Sequence, residues 1–436
     1  MKFYNRTTEL EILSRISEQS AKSACFTAII GRRRVGKTAL LIKSVEAKKY
    51  LYLFVSRKSE QILCSQFQNE AQEALGIQIY GQITDFRTLF EQLLIFSTKQ
   101  TYTLIIDEFQ EFERINKSIF SDIQDLWDRY KESSRLNFVV CGSIYSMMKR
   151  IFESEKEPLF GRLNSKIILR PFSPATIKEI LTDFNPYYTN EDLLCLYLIT
   201  GGVAKYLTLL MEAGATTKDK MIDFVVRADS PFLSEGKDLL ISEFGKDYGI
   251  YFSIIQLIAE GKTSQNEIDS IVGKNTGSYL TNLEIEYSLI KKNKPIFSKP
   301  ESRGIRWTLN DNYLLFWFRF IYSNQQLVEL GKNETLNTYI KTNYDQFSGH
   351  ILERYFRDKM IQEEEFTQIG NYWDKKGENE IDIIALNSMN KTAIIAEVKR
   401  NRNKINIATL QDKVKTIKPT LVDYKIEYRG LSLENM

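Results

Sequence analysis

The run "CFTAIIGRRRVGKTALL" at Cys25–Leu41 constrains this chain more than any other. An unbroken apolar segment, Cys25–Ile30, leads into Gly31-x4-Gly36-Lys37-Thr38, and a helical pattern follows. Strand, glycine-rich turn and helix in that order make a phosphate-binding loop. Gly31 and Gly36 let the backbone, with Arg34 and Val35 between them, curl its N–H groups around phosphate oxygens. The helix N-terminus adds a partial positive charge. Lys37 is placed to reach the β- and γ-phosphates and Thr38 to ligate Mg²⁺, so ATP and Mg²⁺ are the expected cofactors.

A second apolar run, Thr103–Ile106, ends in Asp107–Glu108. Such a run suits a parallel strand buried on both faces. A carboxylate at its C-terminal end lies beside the phosphate loop, where Asp107 holds the Mg²⁺ shell and Glu108 activates the attacking water. A third run, "LNFVVCGSIYSMM", ends in Gly142-Ser143. Ser143 suits a γ-phosphate sensor, and an ordinary strand-to-helix turn accounts for the same residues. Between these runs Ile119, Ile123, Leu126, Trp127 and Tyr130 recur near helical spacing, which gives an α/β alternation.

The chain's 436 residues exceed what one ordinary core organises, so several domains are expected. Its 59 basic and 56 acidic residues leave a net charge of +3, which selects no partner; a nucleic-acid surface would have to come from local clustering. Four widely spaced cysteines, Cys25, Cys64, Cys141 and Cys195, read as reduced thiols rather than a zinc or disulfide framework. The lone His350 excludes a multi-histidine metal site. No signal peptide or long apolar span is visible, so a cytoplasmic protein with no membrane partner is expected.

The segments "FYNRTTELEIL", "GRRRVGKTAL", "LIIDEFQEF", "VVCGSIYSMM", "PLFGR" and "TGGVAKYL" follow one another over the first half of the chain. This series resembles the archaeal-type ATPase family, a STAND/AAA-like branch of P-loop NTPases. The resemblance implies that Arg6 lies near the nucleotide base, that Arg162 of "LFGR" is an arginine-finger candidate, and that Thr200–Gly202 belongs to a lid. Ala204 stands where the family usually has proline. A guanidinium near the γ-phosphate would neutralise charge developing in phosphoryl transfer. A surface arginine after a glycine-containing loop is the plainer reading of Arg162, and a finger acting in trans would require a homo-oligomer.

Further along, amphipathic helices over Ser173–Ala215 look like an ATPase lid, and polar residues, proline and glycine at 227–238 mark a boundary. Helices, short turns and two strand-like pieces, SLIKK and IRWTL, then give the order of a winged helix-turn-helix. From Lys291 to Arg306 the connection carries Lys291, Lys292, Lys294, Lys299, Arg303 and Arg306 against Glu301, which suits phosphate contacts. The expected recognition helix, SYLTNLEIEYSL, has no Arg or Lys for base readout, so packing or protein contact is an equal alternative.

The last segment reads helix, strand-like "TQIGNYW", a hairpin "EIDIIALNSMNKTAIIAEV", helix and strand. A turn centred on Met389–Asn390 puts Asp382 opposite Glu397, with Lys399 on the same face. Opposed carboxylates normally destabilise a sheet, and a divalent cation between them removes that penalty. Lysines protecting a solvated hairpin are the alternative. The order resembles the PD-(D/E)XK nuclease core. That resemblance matches Glu353, Asp382 and Glu397 to metal ligands, and Asp382, Glu397 and Lys399 to catalytic positions.

The expected architecture is therefore an α/β multidomain chain. It has a P-loop ATPase core with a parallel sheet (1–170), a helical lid (171–235), a winged helix-turn-helix (236–325) and an α/β restriction-endonuclease-like domain (326–436). The expected function is ATP hydrolysis coupled to nucleic-acid binding, most naturally DNA, with Mg²⁺-dependent cleavage. A STAND-like signalling or assembly ATPase whose C-terminal domain only binds is the alternative.

Overall fold

A computed structural model describes residues 1–245, 248–299, 304–374 and 379–436. Within it the chain forms two compact units, Tyr4–Arg170 and Met1–Phe3 with Pro171–Met436.

The first unit is built on five parallel strands: β1 (Cys25–Ile30), β2 (Tyr50–Phe54), β3 (Tyr102–Asp107), β4 (Leu136–Gly142) and β5 (Ser165–Ile168). Their order is β2-β3-β4-β1-β5. Every residue of β1, β3 and β4 is buried, because helices cover both faces. On one face Phe26 stacks on Phe138, with ring centroids 4.4 Å apart, beneath Leu89, Phe90 and Trp127. On the other, Ile29, Ile105 and Val139 meet Leu40 and Leu41 of the helix Lys37–Val45. Since β4 lies between β1 and β3, its C-terminal end separates the glycine-rich turn from the acid-bearing end of β3.

In the second unit, the helix Pro174–Phe184 opens with Ser173, whose hydroxyl accepts from the Thr176 N–H, and Pro174 occupies its first turn. Asn190–Thr200 begins with a reciprocal capping box between Thr189 and Asp192. Where a boundary is expected, at 227–238, the helix Lys218–Val225 has ended and, after a turn, the helix Phe232–Phe244 begins. Pro231 precedes its first turn, and Gly236 is needed for packing: a Cβ there would lie 2.2 Å from the Trp317 indole.

Three helices follow, Tyr248–Ala259, Gln265–Val272 and Gly277–Ile285, and then the antiparallel pair β6 (Ile290–Asn293) and β7 (Arg306–Leu309). Glu301 and Arg303 of the basic connection lie outside the described residues. The apolar run after Asp311 is core, as its composition requires. Tyr313, Phe316, Trp317, Phe318 and Phe320 are buried, and the backbone passes from α-helix into a π-helical turn at Trp317–Ile321.

The 31-residue helix Asn333–Glu363 leads into β8 (Gln368–Trp373), β9 (Glu380–Asn387), β10 (Thr392–Val398), the helix Ile407–Val414 and β11 (Lys425–Leu431). These strands form one sheet ordered β11-β10-β9-β8, antiparallel except for the β10–β11 pair. The segments expected as separate domains after residue 170 thus make one unit. Tyr197 donates to Asp358 at 2.6 Å, and Arg400 binds Glu191 at 2.8 Å.

Candidate functional site

The turn after β1 winds through left-handed backbone at Arg34 (φ 70°) and Gly36 (φ 99°), the latter a conformation glycine adopts without strain. Lys37, at the head of the following helix, is only 7% exposed. Its ammonium donates to the carbonyls of Gly31 at 2.7 Å and Arg32 at 2.9 Å. The loop thus carries its own buried cation under a ring of backbone groups. Arg6 braces this loop from the start of the chain: its guanidinium donates to the Val35 carbonyl at 3.4 Å and the Arg170 carbonyl at 2.7 Å, and pairs with Glu9. Burial pulls the Arg6 guanidinium below its ordinary pKa, against the pull of Glu9.

Two strands away, at the end of β3, Asp107 collects four donors. Its Oδ2 accepts from the Thr38 hydroxyl at 3.0 Å and the Tyr52 phenol at 2.6 Å. Its Oδ1 accepts from the Glu108 N–H at 2.8 Å and the Cys141 thiol at 2.9 Å. The contact between Thr38 and Asp107 brings together a hydroxyl and a carboxylate, the hard oxygen donors that suit Mg²⁺. Burial, reinforced by Asp107, pushes both the Tyr52 phenol and the Cys141 thiol well up, so each remains a donor.

Glu108 adopts left-handed backbone (φ 56°), and its Oε2 accepts from the Ser143 hydroxyl at 2.7 Å and the Gln110 amide at 2.5 Å. Ser143 thus touches the expected base from the end of β4. Gly142 makes room for this arrangement: a Cβ there would lie 2.1 Å from Gln110 Oε1. Tyr52 and Gln110 were not singled out by the sequence, and Cys141 only as a reduced thiol. Only the Tyr50-x-Tyr52-x-Phe54 alternation hinted that β2 presents a phenol to one sheet face.

Arg162 is the exception. Its guanidinium binds Asp128 Oδ2 at 3.0 Å and the Phe160 carbonyl at 2.9 Å. Asn164, two residues on, bonds to Phe26 near the beginning of β1. The phosphate loop is at the other end of that strand, about 17 Å away at ~3.3 Å per residue. Arg162 therefore stands at the opposite end of the sheet from the chain's own phosphate loop, because the connection returning to β5 enters there.

In the second unit, residues far apart in sequence do meet. The β9–β10 ladder pairs Asn387 with Thr392 and runs in register to Ile383 opposite Ala396, so the next positions are Asp382 and Glu397. Asp382 Oδ2 accepts from the Val398 N–H at 2.7 Å and the Lys399 ammonium at 3.2 Å. Glu397 Oε1 lies 3.7 Å from both Lys399 and Lys413. Glu353 is within electrostatic reach of Asp382 and Lys399, and its neighbour His350 stands 3.6 Å from it. Burial, and then the charge of Asp382, pushes the Glu353 carboxyl up, against His350 and Lys399. For Lys399 burial pulls down, but Asp382, Glu397 and Glu353 outweigh it and raise the ammonium.

Among the described residues, no three His, Cys, Asp or Glu side chains are grouped to hold a metal ion. The expected ligand set Glu353, Asp382 and Glu397 is thus not closed around one point. The cation shared by Asp382 and Glu397 is the Lys399 ammonium. Among the same residues, no helix is long and apolar enough to cross a membrane.

Comparison with known proteins agrees with the first unit's geometry. Residues 3–210 match the family described as an ATPase domain predominantly from Archaea. Residues 317–416 match one described as archaeal and bacterial proteins of unknown function. Uncharacterized protein MJECL04 of Methanocaldococcus jannaschii is 30% identical over 407 residues, 91% of this chain and 87% of that protein. The chain belongs to this archaeal ATPase family. Its fold is similar to that of the Walker-type ATPase PABY2304 of Pyrococcus abyssi, with a TM-score of 0.54 and 16% identity, covering 73% of this chain and 96% of that one. The N-terminal half of this family member is a P-loop ATPase-like domain.

Proposed function

We propose that this member of the archaeal ATPase family hydrolyses ATP at the Gly31–Thr38 loop and uses the cycle to control a nucleic-acid-binding second unit. The observation that carries the nucleotide reading is the convergence of Thr38 and Asp107 at 3.0 Å beside a buried Lys37. In this reading the loop N–H groups and Lys37 bind the phosphates, Thr38 and Asp107 hold Mg²⁺, and Glu108 takes the proton of the attacking water. Bound Mg²⁺ neutralises phosphate charge. Ser143 and Gln110 keep the Glu108 carboxylate turned toward the end of β4. Arg6, bonded to the Val35 carbonyl, is the residue assigned in this reading to the neighbourhood of the base.

For the second unit we infer a winged helix-turn-helix from the three helices and ribbon at 248–309, with its basic residues on phosphates. The mixed sheet after Asn333–Glu363 supports a nuclease-type core: Asp382 and Glu397 offer oxygen donors, with Glu353 beside them. Lys399, on the same face, is suited to orient water or stabilise charge on a phosphodiester. DNA is the favoured substrate. A second reading, in which this site binds without cutting, is favoured by the Lys399 ammonium already shared between the two acids.

Two measurements test these readings. Lys37→Ala should abolish ATP turnover, and unchanged hydrolysis removes the nucleotide assignment. Wild type and an Asp382→Ala/Lys399→Ala variant are incubated with plasmid and single-stranded DNA, Mg²⁺ or Mn²⁺, with and without ATP. Cleavage lost in the variant supports the nuclease. DNA binding without cleavage under any condition supports the second reading.

A further inference from the structure

The Tyr52 phenol has no counterpart in the residues that the ATP reading requires, yet it makes the shortest contact to Asp107, 2.6 Å to Oδ2. Its place follows from the sheet. Strand β2 pairs with β3 so that Tyr52 faces Ile105 and Phe54 faces Asp107. Tyr52 and Asp107 are thus diagonal neighbours on one sheet face, a spacing that a long aromatic side chain can bridge. That face is the one covered by the helix Lys37–Val45, whose second residue is Thr38. Two hydroxyls therefore reach the same carboxylate oxygen from opposite sides, Thr38 from the helix and Tyr52 from the neighbouring strand.

These two donors are not equivalent. In the ATP reading, on which this inference rests, the Thr38 hydroxyl turns to a cation, and Asp107 Oδ2 then loses one of its two donors. Tyr52 remains, as do the Glu108 N–H and the Cys141 thiol on Oδ1. We propose that Tyr52 is a positioning residue that holds Asp107 Oδ2 toward the metal-nucleotide complex. Its phenol fixes the carboxylate plane at the oxygen nearest the phosphate loop, whereas the two Oδ1 donors alone leave that oxygen free to swing. Residues that orient a metal-bearing carboxylate commonly change metal affinity or activity by about 10–100-fold when removed.

The test is Tyr52→Phe, which keeps the ring, with Tyr50→Phe as the control for losing a phenol from the same face of β2. Mn²⁺ binding to the ADP-loaded full chain is read from the free-Mn²⁺ electron paramagnetic resonance signal. ADP affinity in EDTA and ATPase kcat and KM are measured alongside. Tyr52→Phe should weaken Mn²⁺ binding and lower kcat by about 10-fold, while metal-free ADP affinity and KM for ATP move less than about 3-fold. Tyr50→Phe should match wild type. Wild-type Mn²⁺ affinity in Tyr52→Phe, or an equal loss in Tyr50→Phe, overturns the proposal. Should Tyr52→Phe not fold, Tyr52→p-aminophenylalanine, which keeps a donor at the para position of the ring, takes its place. It should keep Mn²⁺ affinity within about 3-fold, and a loss as large as that of Asp107→Asn overturns the proposal. If wild type itself neither hydrolyses ATP nor binds Mn²⁺ with ADP, the ATP reading fails, and this inference fails with it.

Discussion

Lys399 reaches Asp382 across the β9–β10 pair, ammonium to Oδ2 at 3.2 Å, and the same ammonium stands 3.7 Å from Glu397. One lysine thus compensates two carboxylates that are 14% and 9% exposed. Lys399→Met removes that compensation and leaves Lys413 as the remaining cation on Glu397. Since Lys399 is itself partly exposed, the cost is about 1 kcal/mol rather than that of a buried pair. Its melting temperature in EDTA should fall below that of wild type. Mn²⁺ should restore part of the loss, because a divalent ion can take the place of the ammonium between the acids. Melting curves with and without Mn²⁺ check both statements.

Gly142→Ala tests the packing behind Glu108. The added methyl would press on Gln110 Oε1 and on the Met148 thioether, whose sulfur would be 2.5 Å away. Such crowding in a filled core costs about 1–3 kcal/mol. Gln110 would also be driven from Glu108. We therefore expect a lower melting temperature together with a kcat loss larger than any change in KM, checked by calorimetry and steady-state kinetics.

Arg162 lies at the far end of β1 from its own phosphate loop, so its finger role is tested as one exercised on a second copy of the chain. Wild-type turnover per chain should then rise with protein concentration, and Arg162→Ala should be lower and flat over the same range. The lost pairing with Asp128 is a surface one and should barely move stability. Superimposable concentration series for the two proteins would remove the finger role.

Asp269 ties the helix Gln265–Val272 to the start of the next, accepting from the Thr276 hydroxyl at 2.6 Å and its N–H at 2.7 Å. The Thr276 hydroxyl, helped by its N–H, holds the Asp269 carboxyl below its ordinary value of 3.8, against burial. A depressed carboxylate contributes stability above its ordinary pKa and loses it as pH falls through the folded value. Asp269→Asn should accordingly melt ~3 °C lower than wild type at pH 7, with the difference shrinking below about pH 4. Paired melting curves across that range check the sign.

Features that depend on local order were readable from the sequence, and those that depend on strand partners were not. The loop around Lys37 and the acid at Asp107 are each marked by an adjacent apolar run, and the parallel sheet joins them. The β9–β10 register was readable because the polar NSMN turn leaves one way to align two buried runs. Tyr52 was not, since nothing in its neighbourhood says that β2 borders β3. The end of the sheet reached by Arg162 likewise depends on how the chain returns to β5. At 227–238 the break suggested by proline and glycine corresponds to the turn at 226–231; Pro231 closes it and Gly236, inside the next helix, serves a contact with a residue eighty-one positions away.

That contact has a consequence for how proteins of this family can be recombined. Trp317 is 3% exposed against Gly236, its indole donates to the Leu233 carbonyl at 3.0 Å, and Tyr313 donates to the Phe232 carbonyl at 2.7 Å. Joining this chain's C-terminal half to a relative whose residue at position 236 is not glycine would set a side chain against the indole, where even a methyl group has no room. Natural chimeras should therefore carry Gly236 together with Trp317.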